Sequence, residues 1–111
     1  IFIGEIIMII TTTDFITHYE ISDTLGIARG STVRARNVVR DFFAAFKNII
    51  GGEIEEYTHL QAQAREQALK RMIDDANQLG ADAIINVRFM TSAITQAAAE
   101  LLVYGTAVKL K

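Results

Sequence analysis

The chain has 111 residues, 11 basic and 13 acidic, so it is the size of one domain with one core, and its net charge of −2 argues against electrostatic capture of nucleic acid. It has no cysteine, which excludes disulfides, thiol catalysis and thiolate metal sites, while half the residues are hydrophobic and none is proline, a composition that folds. The longest apolar run, Ile1–Ile10, is broken by Gly4 and Glu5 and falls short of the roughly 20 residues of a membrane span.

No basic stretch or small-residue cleavage site marks a signal peptide, and the composition suits a reducing cytoplasm. The chain opens on Ile, so residues 1–7 are read either as an extension ahead of a natural start at Met8 or as native sequence. A single domain over residues 1–111 is expected.

Ile6–Ile10 is β-branched enough for a strand, a sticky edge that wants a partner. Phe15–Ile21 alternates loosely, and Ser22-Asp23 signals a turn. Thr24–Val33 reads as a strand that ends at Gly30 and hands over to a helix. The spacing of Gly26 and Gly30 lacks the flanking residues of a phosphate loop.

Two helical patterns follow. Val38, Val39, Phe42, Phe43, Phe46, Ile49 and Ile50 fall within an arc of about 140°, opposite Arg36, Arg40, Asp41, Lys47 and Asn48. Ser31 or Thr32 is placed to cap this helix, and Gly51-Gly52 to end it and reverse the chain. Glu53–Leu79 is helical throughout, with Ala68, Leu69, Met72, Ile73, Ala76 and Leu79 on one face and acidic residues at its start. Gln61 and Arg65 fall on that same face. A buried arginine needs an acceptor, so Arg65 is expected either in a structural ion pair or snorkelling, or against a carboxylate or anionic ligand at a subunit boundary.

Gly80-Ala81-Asp82 closes the helix, and Ala83–Met90 is a strand with Ala83, Ile85, Val87 and Phe89 on one side and Ile84, Asn86, Arg88 and Met90 on the other. Asn86 and Arg88, sharing a face, are candidates to bind an anion or to pair across strands. Thr91–Ala99 reads as a hairpin connection and Glu100–Lys111 as the last strand. Leu102, Tyr104, Thr106, Val108 and Leu110 oppose Leu101, Val103, Gly105, Ala107 and Lys109 there, so both faces ask for cover. One layer of helices covers only one face; the second cover is expected from another subunit.

Catalytic constellations are absent from the pattern. Asp74-Asp75 point about 100° apart on a helix and read as a solvated face, and Glu55-Glu56 as charge complementing the helix dipole. Asn37, Arg40-Asp41-Phe42-Phe43-Ala44, Ile50-Gly51-Gly52, then Tyr57, Leu60, Arg65 and Ala68, then Leu79-Gly80-Ala81-Asp82-Ala83-Ile84 and Tyr104-Gly105-Thr106-Ala107-Val108 recur in that order. Together they resemble the YbjQ-like family of small bacterial and archaeal proteins, for which heavy-metal binding has been suggested and function is unproven. The resemblance covers about Thr12 to Lys109. It implies an α+β fold: a two-layer, dodecin-like subunit with an antiparallel sheet packed on two helices, assembling as a ring-shaped homopentamer.

The donors for a metal are thin. Heavy metals favour thiolates and imidazoles, and only His18 and His59 are present, on different elements. His18 and Glu20, two apart in a strand, would share a side, but two ligands fall short of the three or four a zinc site uses. Ring symmetry is what could add more, and a divalent metal is the one cofactor worth testing. The expectation is therefore a cytoplasmic, non-enzymatic homo-oligomer that binds a small ligand or partner at its subunit boundaries, with Asn37, Arg40, Asp41, Tyr57 and Arg65 as candidate contacts. The alternatives are a metal-binding protein using His18 and Glu20, and an enzyme with an interfacial site near Arg65, Asp41 and Tyr57. No nucleic-acid or membrane partner is expected.

Overall fold

The structure, a computed structural model, describes residues 7–35, 55–95 and 98–111. Its elements are β1 (Ile9–Ile10), β2 (Ile21–Ala35), the helix α1 (Glu55–Gln78), β3 (Ala83–Thr95) and β4 (Ala98–Leu110). The strands form one sheet in the order β1-β3-β4-β2. β4 runs antiparallel to both β2 and β3, whereas β1 lies parallel to β3. The sheet is therefore mixed rather than antiparallel throughout, because the N-terminal strand enters alongside β3 instead of closing a hairpin. The helix expected over Val38–Ile50 lies outside the described residues.

α1 seats on one face of β2 and β4 through small residues. Ala64, Ala68, Met72 and Ala76 are buried, facing Ala28, Gly30 and Thr32 of β2. At Gly30 the approach is so close that a Cβ would run into the Ala68 carbonyl oxygen, the Met72 amide nitrogen and the Arg71 carbonyl carbon. Only glycine fits there. The Thr32 hydroxyl, 2% exposed, donates to the Ala64 carbonyl at 3.3 Å, so the one buried polar side chain of this seam is satisfied.

The buried seam steps by four residues each time. At about 100° per residue, each such step turns about 40° around the helix, so the contact line drifts across the helix surface. That drift corrects the expected face. Gln61 and Arg65 share an averaged wheel position with Met72, yet at their own level the seam passes through Ala64, and both are exposed. Leu79, at the other end, is 41% exposed for the same reason.

The helix ends as its glycine predicts. Gly80 takes φ +80°, its amide donates to the Asn77 carbonyl and the Ala81 amide to the Ala76 carbonyl, both at 3.0 Å, the paired bonds of a Schellman closure. Asp82 then fastens the chain to β4: its amide donates to the Val108 carbonyl at 2.9 Å, its carboxylate accepts from the Leu110 amide at 2.9 Å, and Lys109 lies 3.9 Å away.

Strand boundaries depart from the expected ones in three places. β2 does not end at Gly30 or turn at Ser22-Asp23; it runs unbroken from Ile21 to Ala35, absorbing two irregularities, with Gly26 at φ +128°. Thr91–Ala99 is no long connection, since β3 extends to Thr95 and β4 starts at Ala98. Of the stretch Phe15–Ile21 only Ile21 is strand, as the first residue of β2: the Tyr19 amide donates to the Ile16 carbonyl at 3.1 Å, a turn with His18 at φ +71°.

Candidate functional site

Where β3 passes Asn86 it gains a residue. Ile85 pairs with Thr106 and Arg88 with Tyr104, so Asn86 and Val87 together face Gly105. Asn86 takes φ +54°, a conformation asparagine tolerates better than most residues. Gly105 must be small, because a Cβ would come within 2.6 Å of the Ile84 methyl Cγ2 and 2.9 Å of the Ile85 carbonyl oxygen. The bulge reverses the strand's parity. Ile84 and Val87 share the helix-side core, while Ala83 and Ile85 pack with Val108 on the other face. The register then carries Arg88 and Met90 to that other face, so Asn86 and Arg88 do not form the pair that simple alternation implied.

The bulge also anchors the segment before β2. The Asn86 and Val87 amides donate to the Thr13 and Thr11 carbonyls at 2.9 and 3.0 Å, and the Thr11 amide to the Ile84 carbonyl at 3.0 Å. Thr11 and Thr13 bond each other through their hydroxyls at 2.7 Å, and the Thr13 amide reaches Thr11 Oγ1 at 3.1 Å. Arg88 adds its side chain, Nη1 donating to the Thr12 carbonyl at 2.9 Å. This segment lays Ile9 and Ile16 over Ala83, Ile85 and Val108, with Leu110 beside them. The last strand is thus two-sided as expected, but part of the second cover comes from the chain itself.

Beyond that cover, large apolar side chains are exposed. Ile27 is 67% exposed, Val33 57%, Met90 49% and Ile94 54%. Cross-strand partners place Ile27 with Thr106, Arg29 with Tyr104, Ser31 with Leu102 and Val33 with Glu100. From the other side β3 sets Arg88 against Tyr104, Met90 against Leu102 and Ser92 against Glu100. The β2 edge, by contrast, is blunted from the helix: the Arg29 amide donates to Asp75 Oδ2 at 3.0 Å and Arg71 donates to the Ser31 carbonyl at 2.6 Å. Arg34 also reaches Gln67, at 2.9 Å.

The residues singled out from the sequence do not gather into one described site. Asn37, Arg40 and Asp41 lie outside the described residues, and Tyr57 is described only as part of α1. Arg65 is exposed and forms no ion pair with a described residue, so a buried acceptor is not what holds it there. His18 is exposed in its turn rather than in a strand, which removes the alternation that put it beside Glu20. Glu20 instead lies 3.8 Å from Lys111. Among the described residues no three His, Cys, Asp or Glu side chains come together as a metal site would require. Tyr104 was visible as a last-strand residue and as part of a motif, and Arg29 not at all. Their juxtaposition with Arg88 needs the register of three strands, which no local pattern in the sequence carries.

The described residues form an α+β domain whose sheet carries a helix on one face and, on the other, a partial cover from the segment before β2. The chain belongs to the YbjQ family: the family model described as "Putative heavy-metal-binding" matches residues 8–111. It is 56% identical over 104 residues to a UPF0145 protein of Fervidobacterium nodosum, covering 94% of this chain and 96% of that one. It is 55% identical over 104 residues to a UPF0145 protein of Archaeoglobus fulgidus, with the same coverage of 94% and 96%. Among solved structures, a Pediococcus pentosaceus protein of unknown function in the DUF74 family superposes with a TM-score of 0.56 at 20% identity, covering 94% of this chain and 98% of the other. At that identity the likeness speaks for the fold alone.

Proposed function

We propose that this protein is a non-enzymatic, cytoplasmic homo-oligomeric module, a dodecin-like subunit that closes into a ring of five and binds a small ligand or partner where subunits meet. The observation that carries this reading is the open part of the outer sheet face, where Ile27, Val33, Met90 and Ile94 stand exposed beside half-buried Leu102 and Tyr104. Apolar groups contiguous on a regular sheet mark association surfaces more often than solvent-facing ones. A second copy is the partner always present at matching concentration, and closed rings satisfy such a face without leaving edges. Asn37, Arg40, Asp41, Tyr57 and Arg65 are the residues proposed to lie at the boundaries, arginine and tyrosine being favoured in such places.

The family's description favours one other reading, metal binding. Within that reading, ring symmetry supplies the missing ligands by bringing His18 and Glu20 of several subunits together. Native mass spectrometry on protein purified without chelator or affinity metal decides between the two. Five subunits without adduct support the ligand-binding module. Five subunits carrying zinc, lost on His18→Ala, favour the metal reading. A monomer at micromolar concentration overturns the ring.

A further inference from the structure

One row of the outer face is explained neither by packing nor by apolar association. Arg29, Tyr104 and Arg88 stand in direct register on β2, β4 and β3. Neighbouring strands are about 4.8 Å apart, so the two arginines start about 10 Å from each other with the tyrosine between them. Arg88 is already held, its Nη1 donating to both the Thr12 and Val87 carbonyls at 2.9 Å on the side of β3 away from β4, while Nε and Nη2 make no hydrogen bond with a described residue. The Arg29 side chain is exposed and has no ion-pair partner among the described residues.

Among the described residues no counter-charge stands beside this row. The neighbouring rows on the same face are Ile27–Thr106–Ile85 and Ser31–Leu102–Met90, none of them acidic. Glu100, the acidic residue of this face, stands two rows away, about 13 Å along the strand. Asp14, in the covering segment, pairs with neither arginine. Two guanidiniums beside an aromatic ring on an apolar surface are short of an anion, and any cover laid over them has to bring one.

We propose that this row binds the oxyanion of a small molecule, a phosphate or carboxylate, whose apolar body rests on Leu102 and Met90. The forked guanidinium of Arg88 grips two oxygens, Arg29 closes from the other side, and Tyr104 offers both a ring face and a hydroxyl. The site gives a substance to the ligand-binding reading above, yet it is complete within one subunit and does not require the ring. The competing account is that both arginines stack on Tyr104 and take no ligand.

Isothermal titration of the full chain at fixed ionic strength, with phenyl phosphate, benzoate and inorganic phosphate as probes, tests the proposal. Saturable binding of phenyl phosphate or benzoate is expected, at least about tenfold tighter than inorganic phosphate, and whichever of the two is tighter identifies the anion. Arg29→Met should weaken it about tenfold or more, as should Arg88→Lys, which keeps a cation beside the Thr12 carbonyl but loses the fork. Lys70→Gln, on the exposed side of α1, should leave it unchanged. The proposal is overturned by no saturable binding of either aromatic probe, by full binding in Arg29→Met, or by an equal loss in Lys70→Gln. Native masses of the same samples separate the two readings: a monomer that binds refutes the ring alone, and a pentamer that does not bind refutes the site alone.

Discussion

The two faces of the same sheet are built on opposite rules. On the helix side β2 offers small residues, Ala28, Gly30 and Thr32, and the helix backbone rests almost on the strand at Gly30. On the outer side β2 offers the larger Ile27, Arg29 and Val33, and the cover given by the described residues lies at the end under Ile9 and Ile16. The inner face gains its stability from close approach, where a single methyl group is one too many. The outer face keeps apolar area and two arginines available beyond what one subunit uses. The difference teaches that substitutions on the two faces should fail in different ways: on the inner face in folding, on the outer face, under the proposed reading, in association.

The sharpest way to break that contrast is Gly30→Ala. The obstacles are backbone atoms of a helix held by its neighbours, so the added Cβ has nowhere to go. A loss of about 3 kcal/mol in urea unfolding, the upper end for overpacking, is expected at every protein concentration. A loss below about 1 kcal/mol would mean that α1 does not seat there. Gly105→Ala comes next, at about 2 kcal/mol. The Ile84 and Val87 methyls can yield by rotating, whereas the Ile85 carbonyl cannot. If this substitution proves neutral, the bulge at Asn86 is not fixed by its neighbour across the ladder.

Much of this was legible in the sequence, and the misses share a cause. The long helix, its stop at Gly80 and the two-sided last strand follow from local pattern, because each is set by residues a few positions apart. What failed was any inference that carried a local period over a distance. A straight helical wheel put Arg65 with Met72, but the seam follows a row that winds around the helix. Strict alternation put Val87 with Ile85, but one extra residue at Asn86 exchanged the faces beyond it. His18 and Glu20 were joined by a strand that a turn replaces. The cover over Ala83 and Ile85 escaped notice because its hydrogen bonds run to the bulge, a feature without a sequence period.

The outer face should answer differently. Met90→Gln together with Ile94→Gln removes exposed apolar area without touching the core, so monomer stability should change by no more than about 0.5 kcal/mol. The mass in solution is what should move, toward smaller species, and the dependence of the melting midpoint on protein concentration should weaken with it. If the double variant keeps the wild-type mass, the open face is not where copies meet, and the contrast between faces reduces to one of packing alone.

The smallest effect on folding is expected from Arg65→Met, and it sharpens the comparison most finely. On an averaged wheel this position belongs to the buried face, and losing a paired, buried guanidinium costs several kcal/mol. The drifting seam puts it in solvent instead, with Ala64 taking the buried place. Urea unfolding of the monomer should therefore shift by less than about 0.5 kcal/mol, as for other surface changes. A shift in oligomer mass alone would place Arg65 at a subunit boundary, outside the fold of the single chain. A loss of more than about 2 kcal/mol, the same at all concentrations, would instead restore the buried ion pair and contradict the winding seam.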